Sequence, residues 1–122
     1  LDETSVTETK IQHNITVYTD GASRGNPGPG GYGIVMMSGS YKKEFSAGYK
    51  LTTNNRMELL AVITALENLK HDNCNVTIYT DSKYVVDSVN KGWLMSWVLK
   101  DFKGKKIRIY GLDFLKHTRS TK

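Results

Sequence analysis

Three acidic side chains stand where their neighbours make them candidates for chemistry. Asp20 closes the alternating run Thr16-Val17-Tyr18-Thr19-Asp20, and the glycine-rich turn Gly21-Ala22-Ser23-Arg24-Gly25-Asn26-Pro27-Gly28 follows at once. Glu58 falls in the first turn of a helical stretch, just after Thr52-Thr53-Asn54-Asn55. Asp81 ends the run Val76-Thr77-Ile78-Tyr79-Thr80 and precedes Ser82. Each acid has a bland reading when taken alone: an Asp-Gly turn at Asp20, a capping box from Asn55 to Glu58, an N-cap at Asp81. Together they would meet at the carboxyl edge of an α/β sheet, where such folds bind ligands. Crowded carboxylates repel and raise one another's pKa, a cost that a cation relieves. All-oxygen donors select Mg²⁺, with Mn²⁺ as a substitute, over zinc. Carboxylates holding two such ions can activate a water and stabilise the leaving oxygen of an in-line phosphoryl displacement.

The elements that must position these acids follow from periodicity. Ile15 to Thr19, Gly31 to Met37 and Tyr41 to Tyr49 read as three strands of an antiparallel meander, with Ser38-Gly39-Ser40 as a tight turn. A helix is predicted from Arg56 to Lys70, with Leu59, Ile63 and Leu66 as its apolar stripe, widened by Leu60 and Leu69. Asn75 to Thr80 is a short strand with Val76, Ile78 and Thr80 on one face. Ser82 caps a second helix, Lys83 to Asn90, and a further helical piece covers Trp93 to Asp101. Phe102-Lys103-Gly104-Lys105-Lys106 reads as a basic turn. The order β-β-β-α-β-α-α implies one α/β domain with helices packed on a sheet.

Composition sets the bounds. A chain of 122 residues with 39% hydrophobic content suffices for one core, and a net charge of +5 brings a polyanionic partner into consideration. The single cysteine, Cys74, has no partner for an internal disulfide; it reads as a half-buried structural residue in a reducing, cytoplasmic setting. No apolar run approaches the ~18 residues that a membrane span needs, and no signal peptide is visible. Residues 1–14 read as a loose polar tail. The glycine loop lacks the Gly-Lys-Ser/Thr ending of a P-loop, which argues against that nucleotide-binding fold.

Thr19-Asp20-Gly21-Ala22 with Arg24-Gly25-Asn26-Pro27-Gly28, then Thr53-Asn54-Asn55-Arg56-Met57-Glu58-Leu59, then Tyr79-Thr80-Asp81-Ser82, resemble type 1 ribonuclease H from about Ile15 to Lys106. The resemblance implies a five-stranded mixed sheet, an antiparallel meander extended by a parallel fourth strand. It also implies Mg²⁺-dependent endonucleolytic cleavage of the RNA strand of an RNA–DNA hybrid. It places catalytic, metal-holding acids on Asp20, Glu58 and Asp81, and brings the backbone at Gly21 and the side chain of Asn26 to the RNA strand. Asn54 and Asn55 would touch the minor groove, where 2′-hydroxyls distinguish RNA from DNA. Lys83 stands where the family often has glutamine and would make a plain phosphate contact. Trp93, Trp97, Phe102, Lys100, Lys103, Lys105 and Lys106 match the family's basic protrusion, which grips the DNA strand.

From Ile107 to Lys122 the resemblance ends. The family's fifth strand, histidine loop, fourth aspartate and last helix are expected to be missing, and neither Asp113 nor His117 sits in a matching motif. Codons can be chosen for this segment that, read one base earlier, spell Asn-Pro-Asp-Leu-Trp-Val-Arg-Phe-Phe-Lys-Thr-Tyr-Thr-Lys-His-Lys, close to what the family has here. A one-base frameshift near Lys106 accounts for this, and the coding DNA tests it. Three consequences are expected: an exposed edge on the fourth strand through which copies self-associate, weaker cation binding, and impaired cleavage. The alternative reading is a catalytically weak or inactive module that binds RNA–DNA hybrids.

Overall fold

The computed structural model describes residues 13–69, 73–92, 98–102 and 104–112. Its sheet contains β1 (His13–Ser23), β2 (Gly28–Ser38), β3 (Tyr41–Thr52), β4 (Cys74–Thr80) and β5 (Lys105–Gly111), in the order β3-β2-β1-β4-β5. β1, β2 and β3 form the antiparallel meander, and β4 joins β1 in parallel register. Helices α1 (Asn54–Glu67) and α2 (Lys83–Asn90) both pack on one face.

β1 is longer than its apolar run. Asp20, Gly21, Ala22 and Ser23 continue the pairing opposite Gly33, Tyr32, Gly31 and Gly30 of β2. Asp20 therefore lies inside a strand, and the turn begins only after Ser23. There Arg24 donates its N–H to the Pro29 carbonyl at 2.7 Å. The turn is so tight that a Cβ on Gly28 would sit 1.6 Å from the Arg24 carbonyl oxygen.

α1 starts two residues earlier than predicted because Thr53 caps it: the Thr53 hydroxyl accepts the Arg56 N–H at 3.2 Å. Its buried apolar face is Met57, Ala61, Val62, Ala65 and Leu66. Leu59 and Ile63 pack at the margin of the core rather than at its centre. The two alanines explain the rotation, since small side chains let the helix lie close on β1 and β2. That closeness is sharpest at Gly21, where a Cβ would stand 2.7 Å from the Met57 carbonyl carbon and 2.9 Å from the Glu58 nitrogen. Gly21→Ala is expected to destabilise the protein by about 1–3 kcal/mol, because backbone must move to admit a methyl. A lowered urea midpoint at unchanged slope checks this.

β4 carries the expected alternation: Cys74, Val76, Ile78 and Thr80 are all buried. Cys74 is thus fully in the core, not half-buried, because it occupies the first inward position of a central strand. Ser82 caps α2 by accepting the Val85 N–H at 3.1 Å, as predicted.

The absence of a fifth strand is corrected by the structure. Lys105–Gly111 forms β5, parallel to β4, with Ile107 opposite Val76 and Ile109 opposite Ile78. The physical reason is local. Ile107 and Ile109 alternate with Arg108 and Tyr110, so the segment has one apolar face that joins the core and one polar face. Lys105 and Lys106 consequently begin a strand instead of ending a basic turn. The edge of β4 expected to drive self-association is covered by β5. On the sheet face away from the helices, Tyr18, Tyr79 and Tyr110 stand in register across β1, β4 and β5 and stack at 5.2 Å and 5.9 Å. Trp93, Trp97, Lys103, Asp113 and His117 lie outside the described residues. No helix among the described residues is long and apolar enough to cross a membrane.

Candidate active site

The three acids lose their bland explanations one by one. Asp20 is paired in β1 and forms no Asp-Gly turn. The α1 cap is Thr53, so Glu58 is past the capping turn and cannot complete a box with Asn55. The α2 cap is Ser82, so Asp81 has no capping duty. What remains is their common place at the carboxyl ends of β1 and β4, the two neighbouring parallel strands, beside the start of α1.

Asp20 and Asp81 are exposed and line one cavity of ≈ 670 Å³, together with Tyr18, Glu44, Ser46 and Leu112. Glu58 is different: only 8% of its surface is accessible. Burial, then the nearby charge of Asp20 and, less strongly, that of Asp81, push its pKa up from 4.5 to about 7. The Gly21 backbone N–H and the Ser82 hydroxyl hydrogen-bond to it and pull the other way. Its Oε1 is buried without a hydrogen-bond partner. A buried, unsatisfied carboxylate oxygen facing two further carboxylates is costly as it stands, and a hard divalent cation is the group that satisfies it. In donor chemistry the residues therefore fit such an ion. Among the described residues, however, no three His, Cys, Asp or Glu side chains are grouped closely enough to hold one; Asp20 and Asp81 line the cleft, Glu58 is buried beside it, and the three do not form a closed ligand shell.

The remaining candidates are placed unevenly. Asn26 is exposed on the turn after β1, and Asn54 and Asn55 are exposed at the start of α1, on the same side of the sheet as the acids. Asn54 Oδ1 accepts from the Ser23 N–H at 2.5 Å. Gly21 lies between Asp20 and the Glu58 backbone, so its small size has a packing reason as well. Lys83 is exposed and paired with Asp87 at 2.8 Å along α2, which raises the lysine's pKa and lowers the aspartate's. Lys105 is half-buried and Lys106 exposed at the beginning of β5, the opposite end of that strand from the cleft.

The RNase H family profile matches residues 12–117 of this chain. The chain belongs to the RNase H family. Similar proteins include the ribonuclease H of Syntrophus aciditrophicus, 55% identical over 92 residues that make up 75% of this chain and 53% of that protein. The ribonuclease H of Desulforamulus reducens is 63% identical over 83 residues, 68% of this chain and 52% of the other. The chain thus spans about half the length of these curated relatives. Among solved structures, the N-terminal RNase H domain of rv2228c from Mycobacterium tuberculosis superposes with a TM-score of 0.69 at 26% identity, covering 82% of each chain. LC11-RNase H1, solved in complex with an RNA/DNA hybrid, gives 0.63 at 25% identity over 80% of this chain and 83% of that one.

Against this family background, two features escape the sequence reading. Ser82 both caps α2 and bonds Glu58; the Asp81-Ser82 pair signals only the cap. Ser23 meets Asn54 across 31 residues, and no local pattern announces that contact.

Proposed function

We propose that the chain hydrolyses the RNA strand of RNA–DNA hybrids in a reaction that needs Mg²⁺ or Mn²⁺, with impaired activity, since among the described residues Asp20, Glu58 and Asp81 are the acids brought to the site. The observation that carries this reading is the placement of Asp20, Glu58 and Asp81 around one strand edge, where none of them caps a helix or makes an Asp-Gly turn. Asp20, Glu58 and Asp81 would hold the cation, which when bound polarises the scissile phosphate and lowers the pKa of a water. The protein's own part is positional. The Gly21 N–H and the Ser82 hydroxyl orient the Glu58 carboxylate, and a bound cation would hold it in its charged form. Asn54 and Asn55, exposed at the start of α1 just before Glu58, would touch the minor groove of a hybrid, and Asn26 on the turn after β1 would approach its RNA strand. Trp93, Trp97, Phe102, Lys100, Lys103, Lys105 and Lys106 would grip the DNA strand, and Lys83 a phosphate. The motifs that carry this reading lie within 15–106, and Ile107–Gly111 continue the same sheet as most of β5. A cytoplasmic, reducing setting suits the free, buried Cys74.

A second reading, hybrid binding with little or no cleavage, is favoured by the open ligand shell. A labelled RNA strand in an RNA–DNA duplex separates the two. Product in Mg²⁺ or Mn²⁺ that EDTA abolishes supports catalysis; binding that persists in EDTA with no product in either metal supports the module. Neither binding nor product rejects both. Self-association, proposed earlier through β4, would have to use the outer edges of β3 or β5. Lys42, Lys43 and Lys50 guard β3 against it, and sedimentation at increasing protein concentration measures the outcome.

A further inference from the structure

We infer that Ser23 is a positioning residue that fixes the polarity of the Asn54 amide, so that the site offers a hydrogen-bond donor, not an acceptor, to the minor groove of its substrate. The inference rests on the hybrid-binding reading above and adds a base preference to it.

The polarity follows from which groups can donate. A backbone N–H only donates, so the side-chain atom 2.5 Å from the Ser23 nitrogen must be the amide oxygen of Asn54. The Ser23 hydroxyl stands 3.1 Å from the same oxygen and 2.7 Å from the Gly25 carbonyl; its single proton serves one of these acceptors at a time, so the backbone N–H is what decides the polarity. Rotating the amide by half a turn would set an NH₂ group against an N–H, donor against donor. Both partners sit on firm supports: Ser23 is the last residue of β1, paired with Gly30, and Asn54 is the first residue of α1, next to its cap. With Oδ1 committed to β1, the exposed Asn54 amide is left with its Nδ2 hydrogens to offer.

An outward donor has a consequence for reading bases. Every base pair shows acceptors in the minor groove, purine N3 and pyrimidine O2, so a fixed donor is tolerant of most sequences. Guanine alone adds an amino donor there. At the step under Asn54, a guanine amino group would face the Nδ2 hydrogens with no acceptor between them. The chain should therefore disfavour G·C at that one step relative to pairs lacking the amino group.

Replacing guanine by inosine removes that amino group and, with it, one of the three hydrogen bonds to cytosine, so the same duplexes are compared on wild type and on Asn54→Ala. We would measure binding in EDTA of a set of RNA–DNA hybrids in which each guanine in turn is replaced by inosine. The expected result is a roughly three- to ten-fold tighter complex for inosine at one step only, the size of one neutral hydrogen bond. The preference should vanish in Asn54→Ala and reverse in Asn54→Asp, which keeps the acceptor towards Ser23 but turns an acceptor outward. Hydrogen exchange at the Ser23 amide of the free protein reads the clamp directly: slow in the wild type, fast in Asn54→Ala. Equal binding of inosine and guanine hybrids at every step, or a preference that survives Asn54→Ala, overturns the inference while leaving hybrid binding intact. A fast-exchanging Ser23 amide in the wild type overturns it as well. No binding of any hybrid overturns the functional reading and this inference with it.

Discussion

Asp20→Asn is expected to slow cleavage of the RNA strand about a hundred-fold or more while leaving the fold in place. The magnitude follows from the several kcal/mol that a metal-held phosphate gains in the transition state, at tenfold per 1.36 kcal/mol. The separation of activity from stability follows from the structure. Asp20 is exposed, its backbone is held by the β1–β2 ladder, and its side chain caps nothing. An isosteric neutral replacement breaks none of these contacts. It also removes the largest neighbouring charge acting on Glu58, so the Glu58 pKa should fall towards its ordinary range. The measurement pairs kcat with a urea midpoint from the same preparation. Cleavage unchanged in Asp20→Asn would mean that the activity comes from elsewhere; loss of both activity and midpoint would mean that Asp20 is structural.

Glu58→Gln should have the opposite character, losing activity and gaining stability in a defined pH window. The folded pKa of about 7 lies above the ordinary 4.5. A group raised in the folded state contributes stability that is fully present below pH 4.5 and is lost as pH rises through 7. Wild type therefore weakens over that window, whereas glutamine, with no proton to lose, does not. The difference between the two should be near zero at the acid end and on the order of 3 kcal/mol at most above pH 7, taking 1.36 kcal/mol per unit. Urea titrations on both sides of the window test the slope. Added Mg²⁺ should recover part of the deficit in the wild type at alkaline pH and much less in Glu58→Gln, since a ligand that binds only the folded state stabilises it by mass action. A wild-type curve parallel to that of Glu58→Gln across the whole range would contradict the burial and crowding assigned to this carboxylate.

What could be read from the chain was what local pattern encodes. The alternation from Cys74 to Thr80 and the Ser82 cap lie within a few residues of the elements they define, and both stand as expected. The buried side of α1 was misplaced because Leu59 and Ile63 signal burial strongly, while Ala61 and Ala65, which set the approach distance, signal little. β5 was missed for another reason. Lys105–Gly111 was weighed by short motifs, none of which it contains, although its own alternation of Ile107 and Ile109 with charged and aromatic residues is what a strand requires, and the family profile runs on to residue 117. The acids were found by type and position. Their acquittal from capping needed the structure, because Thr53 against Asn55, or Ser82 against Asp81, is a choice of one residue. The Ser23–Asn54 contact joins two exposed polar residues 31 positions apart, and nothing in either neighbourhood marks it.

The row formed by Tyr18, Tyr79 and Tyr110 gives the protein an optical marker. Three phenol rings within 5.2 Å and 5.9 Å of one another, held in a chiral arrangement, form a coupled chromophore. Their transitions mix, and the tyrosine band of the near-ultraviolet circular dichroism spectrum acquires a component that depends on all three being in place. Tyr110 is the outermost ring and is carried by β5 alone. Peeling β5 from β4 would shorten the array from three rings to two without disturbing the meander. The edge strand thus reports its own docking, in a spectral region separate from the backbone signal of the rest of the sheet.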